Sequence, residues 1–139
     1  MPTPGFEVLE HTADAGLIAR GGTLSEAFEQ AARGMYALMV DLDSVRETEV
    51  RDVETGADSP EDLLVRWLLD LLFLTETERL LFHRFKVEIS DGALRAKAHG
   101  EPIDEERHAL GVAIKAVTHH LLEVAREDDG FRARVLFDI

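Results

Sequence analysis

The sequence predicts an α+β fold: a two-layer sandwich in which a mostly antiparallel sheet carries two long helices packed on one face. Three observations lead there. Short runs with period-two alternation recur at Phe6–Leu9, Phe85–Ile89, Leu94–Ala98 and Phe131–Ile139. Two longer stretches carry apolar residues at three- and four-residue steps. Between the second and third runs stands Asp91-Gly92, the signature of a tight hairpin turn. With 139 residues and 45% apolar content, the chain is expected to form one domain over 1–139 with a core that needs no covalent staples.

Taken in order, Phe6 and Val8 alternate with Glu7 as a half-buried strand, and Leu17 to Arg20 form a second, closed by Gly21-Gly22. Thr23 stands three residues before Glu26, a capping-box spacing. Leu24, Ala27, Phe28, Ala31, Met35, Leu38 and Met39 then make one apolar stripe, so a helix is expected to run to about Val40. Val45 to Glu54 reads as a strand with one wet face. Ser59-Pro60-Glu61-Asp62 is a helix start, with serine at the cap, proline at the first position and acids in the first turn. The helix it opens is apolar at Leu63, Leu64, Trp67, Leu68, Leu71 and Leu72 and is expected to be the most buried element. Its pattern breaks from Thr75 to Arg79, where a separate short helical turn is expected.

Phe85 to His99 reads as a hairpin, and Gly100-Glu101-Pro102 ends its second strand, because proline cannot donate to a ladder. After a polar loop from Asp104 to His108, the β-branched segment 112–119 favours a strand, with helix an alternative toward Leu121 and Leu122. Asp128-Asp129-Gly130 turns the chain into a final strand that closes a last hairpin at Ile139.

Composition excludes several functions. The absence of cysteine removes disulfides, thiolate zinc sites and a cysteine nucleophile, which fits a reducing compartment and a cytoplasmic location. Met1 to Gly5 has neither the basic nor the apolar region of a signal peptide. The longest apolar stretch, Leu68 to Leu74, is interrupted by Asp70 and too short to span a bilayer, so no membrane association is expected. The net charge of −13 repels nucleic acid, whose binding depends on lysine and arginine neutralising phosphates. A basic protein partner or a bound cation fits that surface; acidity also serves solubility alone.

His11-Thr12-Ala13-Asp14-Ala15-Gly16 joins the first two strands with an imidazole, a hydroxyl and a carboxylate. By itself Asp14 serves equally well as the carboxylate of an Asx-turn. Three further stretches change its weight: Gly100-Glu101 followed by His108, Ile114-Lys115-Ala116-Val117-Thr118, and the closing Asp138-Ile139. In this order, from Phe6 to Ile139, they resemble the archease family. That resemblance implies an accessory protein that activates the RtcB-type RNA ligase of tRNA splicing, promoting the manganese- and GTP-dependent guanylylation of the ligase and hence its repeated turnover. It places the family's metal-binding positions at Asp14, Asp138 and Ile139. Ala15, Leu69 and His119 depart from the family's usual residues, and none of the three departures removes a carboxylate.

The residue chemistry points the same way. Asp14, Asp138 and the α-carboxylate or carbonyl of Ile139 offer oxygen ligands only, which suits a divalent cation such as Ca²⁺, or Mg²⁺ in second place. Clustered carboxylates repel one another unless a cation offsets them. His108, together with Glu101 and His11, is a candidate for a supporting or partner-contacting role. Lys115, interrupting an apolar segment, either extends to solvent, pairs with the acidic site or reaches a substrate phosphate in the ligase. His119 and His120, adjacent on an expected strand, would point to opposite faces and could not share an ion. His83 and His99 read as surface residues. Two other classes stand beside the activator. One is a metal-dependent hydrolase of RNA or nucleotide using Asp14, Asp138, Glu101 and His108; the other is an acidic, chaperone-like binding module.

Overall fold

The computed structural model describes residues 3–10 and 14–139, with the backbone alone at residues 10 and 14. Its elements run β1 (Gly5–Glu10), β2 (Asp14–Gly21), α1 (Leu24–Met39), β3 (Glu49–Gly56), α2 (Pro60–Glu78), β4 (Leu80–Ser90), β5 (Ala93–Pro102), β6 (Ala116–Val117), β7 (Glu123–Glu127) and β8 (Gly130–Asp138). A single 3₁₀ turn, Leu42–Ser44, follows α1. The α+β class, the antiparallel pairing and the two long helices are as expected. The strands, however, divide between two sheets. β1, β2 and β8 lie side by side, with β6 and β7 sharing the far edge of β8, while β3, β5 and β4 form a separate three-stranded sheet.

Both helices start where their caps direct. The Thr23 hydroxyl accepts the Glu26 N–H at 3.1 Å, and the Glu26 carboxylate accepts the Gly22 N–H at 2.9 Å. Ser59 caps α2 by accepting from the Asp62 N–H. Contrary to the sequence pattern, α2 runs unbroken through Glu78 and stops at Arg79, which adopts a left-handed φ of 56°. Thr75 breaks the apolar pattern but not the helix. It is buried, and its hydroxyl meets the Tyr36 hydroxyl at 2.6 Å, so a satisfied polar pair occupies that core position. Tyr36 also donates to the Leu71 carbonyl, and Trp67 donates to the Phe28 carbonyl at 3.0 Å. These bonds join α1 to α2 through the core, around which Tyr36, Trp67, Phe82 and Phe85 pack with ring centroids 5.8–6.4 Å apart.

The Asp91-Gly92 hairpin forms as expected, with both turn residues at positive φ and Ser90 paired to Ala93. The closing hairpin of β7 and β8 forms across Asp128-Asp129. The expected strand over 112–119 does not form, and only Ala116 and Val117 join a ladder. The N–H groups of Gly111 and Val112 instead donate to the Met39 and Leu38 carbonyls at 2.8 and 2.9 Å. Those carbonyls end α1 and have no partner within the helix, so the segment serves as its C-terminal cap. His119 and His120 therefore lie beyond the strand, both exposed, rather than on alternate faces of it.

Candidate metal centre at the end of the β2–β8 ladder

The β2–β8 ladder descends from Gly21 opposite Phe131 to Asp14 opposite Asp138. Its last rung therefore pairs two aspartates. Residues directly opposed in an antiparallel ladder lie on one face with Cβ atoms about 5 Å apart. Glycine at position 16 permits this approach: a Cβ there would collide with the Leu136 side chain and lie 2.9 Å from the Val135 carbonyl. On its other side β8 is held by the segment around β6. Ala116 opposes Asp138, the Lys115 N–H donates to the Asp138 carbonyl at 2.8 Å, and the Thr118 N–H and hydroxyl both reach the Leu136 carbonyl at 3.0 Å.

Three of the residues singled out from the sequence, Asp14, Asp138 and Lys115, thus meet at one end of the larger sheet, with Ile139 next in the chain. Asp138 and Ile139 are exposed, as is Lys115. Among the described residues the Asp138 carboxylate enters no hydrogen bond and no ion pair. His11 and the side chain of Asp14 lie outside the described residues. Oxygen-only donors of the kind Asp14, Asp138 and Ile139 carry are of the type that a hard divalent cation takes.

Glu101 and His108 belong to a different arrangement. Both are buried, at 6% and 3% exposure. One Glu101 oxygen accepts from the Arg107 guanidinium. The other accepts the Arg46 N–H at 2.6 Å and lies 3.0 Å from His108 Nε2. His108 Nδ1 accepts the Asp104 N–H at 2.9 Å, so the imidazole proton stands on Nε2 and points at the carboxylate. Arg107 also donates to the Ser44 carbonyl at 2.7 Å. The Arg107 guanidinium, aided by the Arg46 N–H and His108, holds the Glu101 carboxyl down at about 2. Every strong donor and acceptor of the pair is engaged within the protein, tying the 103–110 loop to the 3₁₀ turn. The sequence points to the glutamate and the histidine but not to Arg46, which lies 55 residues from Glu101, or to Arg107, which lies only six away but reads as one charge of a polar loop.

His83 and His99 are half-buried rather than on the open surface. His83 is the extra residue of a β-bulge in β4, and its Nε2 lies 2.9 Å from the Glu47 carboxylate. Arg84 forks onto the same carboxylate at 2.7–3.1 Å and holds it at about 2. Burial and the neighbouring Arg84 push the His99 imidazole below its usual range. His119 Nε2 lies 3.8 Å from Asp62 at the start of α2.

Residues 6–139 match the model of the Archease protein family (MTH1598/TM1083). "Protein archease" of Methanothermobacter thermautotrophicus is 43% identical over 139 residues, spanning 97% of this chain and 99% of its own. The protein of the same name from Methanosarcina acetivorans is 39% identical over 146 residues and covers both chains completely. Among solved structures, Methanobacterium thermoautotrophicum protein 1598 superimposes with a TM-score of 0.86 at 42% identity, over 97% of this chain and 99% of that one. An archease from Thermotoga maritima, described as a possible chaperone, shares the fold with a TM-score of 0.67 at 23% identity, over 100% and 98% of the two chains.

Proposed function

This chain belongs to the archease family, and from that membership we propose that it is an accessory protein that activates an RtcB-type RNA ligase in tRNA splicing. In this reading it promotes guanylylation of the ligase, sustains its multiple turnover in the cytoplasm, and carries no catalytic residues of its own. The observation that supports it most directly is the pairing of Asp14 with Asp138 on the last rung of the β2–β8 ladder.

In this reading Asp14, Asp138 and an oxygen of Ile139 hold a divalent cation, with Ca²⁺ preferred and Mg²⁺ the alternative. Such an ion supplies concentrated positive charge at the tip of an otherwise acidic protein. The protein's own part is positional. Gly16 lets β2 and β8 close together, and the Lys115 and Thr118 main chain pins the end of β8 from its other side. Lys115 thereby stands beside the site with its ammonium exposed, suited to meet a phosphate presented by the ligase.

The hydrolase reading fares worse. It requires His108 or Glu101 as a base, and both already bond inside the protein. The decisive experiment is multiple-turnover RNA ligation by a matching ligase, with and without this protein. Stimulation lost in Asp14→Asn and Asp138→Asn supports the proposal. Wild-type protein that leaves ligation unchanged would sink it.

A further inference from the structure

The outer face of α2 carries two large apolar side chains outside the core. Phe73 is 60% exposed and Leu69 43%. They stand four residues apart and so are neighbours on one helical stripe. Asp62, Arg66 and Glu76 are exposed on the same face, and Asp70 is half-buried there. At its N-terminal end the stripe approaches the candidate metal centre. Asp62 lies 3.8 Å from His119, which follows β6, and β6 pairs with Asp138.

A single exposed apolar residue needs no explanation. An aromatic and a leucine side by side, bordered by charged groups, have the anatomy of an interface anchor with a polar rim. Charge decides what the anchor meets. Three acids border it against one arginine, on a chain of net charge −13. That field repels nucleic acid and a second copy of this chain, and favours a cationic protein. A ligase that grips RNA carries such cationic surface, because phosphate neutralisation dominates RNA binding.

We propose that the outer face of α2, centred on Leu69 and Phe73, is the surface by which this protein docks on the cationic RNA ligase; the proposal rests on the activator reading above. Phe73 is the anchor, Leu69 widens it, and Asp62, Asp70 and Glu76 form a rim that orients the ligase.

The test compares wild type with L69S/F73S and the conservative Phe73→Leu. Binding to an RtcB-type ligase is measured by interferometry, and the concentration giving half-maximal stimulation by multiple-turnover ligation. The double variant is expected to raise both values at least tenfold while the maximal rate at saturation stays near wild type. Phe73→Leu is expected to recover most of the binding, and added salt to weaken wild-type binding. Asp138→Asn should behave oppositely, binding normally but failing to stimulate at saturation. A double variant with unchanged binding and half-maximal concentration overturns the docking surface and leaves the activator reading standing. Wild-type protein that neither binds nor stimulates the ligase overturns both. If the substitutions instead abolish self-association seen in sedimentation, the occupant is a second copy and the proposal is wrong.

Discussion

At Glu101 one carboxylate ties together three separated stretches of chain: Arg46 before β3, Glu101 itself in β5, and Arg107-His108 in the following loop. The Arg107 guanidinium and the other donors hold its pKa at about 2, below the ordinary 4.5. A carboxylate whose folded pKa is depressed adds stability that is present in full above its unfolded pKa. That contribution fades as pH falls from 4.5 toward 2. Urea midpoints measured from pH 7 down to pH 3 should therefore drop through this window in wild type, and less steeply in Glu101→Gln. At pH 7 Glu101→Ala should cost about 3 kcal/mol, because it leaves Arg107 and His108 without their buried partner. A variant as stable as wild type would show that the knot is ornamental. The sequence marks Glu101 and His108 as chemically interesting, and in the fold they bond to each other and to Arg46, Asp104 and Arg107. Residue type revealed the polarity; which partners would saturate it depended on how the loop folds back.

At the scale of elements, α1 does more than bury a stripe. β4 is an edge strand of its sheet, and edge strands present unpaired backbone groups. The Glu29 carboxylate accepts the Val87 N–H at 2.8 Å, the Ser25 hydroxyl accepts the Ile89 N–H at 3.2 Å, and Arg33 donates to the His83 carbonyl at 3.3 Å. Four helical residues rise about 6 Å, and two strand residues about 6.7 Å, so Ser25 and Glu29 keep step with Ile89 and Val87, while the longer Arg33 side chain reaches four residues further along the edge to His83. Burial raises the Glu29 pKa even as the Val87 N–H opposes it, the mark of a carboxylate enclosed for its hydrogen bond. Glu29→Ala should cost about 1–2 kcal/mol and speed amide exchange at Val87, with slow exchange there counting against this role. Sequence periodicity could not show it, since Ser25, Glu29 and Arg33 look like an ordinary wet face. The Asp91-Gly92 hairpin was legible because its turn chemistry is local. The segment 112–119 defeats its sequence pattern for the opposite reason: its β-branched residues favour a strand, but the Val112 N–H, with that of Gly111 before it, is taken by the end of α1. The split into two sheets was equally hidden, because alternation reveals strands and not their neighbours.

For the whole molecule, the proposed metal centre at the Asp14–Asp138 rung and the net charge of −13 predict a distinctive response to cations. In the metal-centre reading, the carboxylates of the two aspartates paired in backbone register repel when no cation lies between them. A cation that binds only the folded chain stabilises it by RT ln(1 + [L]/Kd), about 2.7 kcal/mol at a hundredfold excess over Kd. The melting temperature of wild-type protein should therefore climb with calcium and keep climbing logarithmically after the site fills. Asp138→Asn removes a proposed ligand and, with its charge, the pairwise repulsion between the two carboxylates. It should melt at or slightly above the metal-free wild type, and calcium should add little. The two effects separate a built site from diffuse screening. Sodium at matched ionic strength screens both proteins alike, whereas a specific site distinguishes calcium from sodium and wild type from variant. Equal calcium responses in the two proteins would mean that the aspartate rung is not where the ion binds.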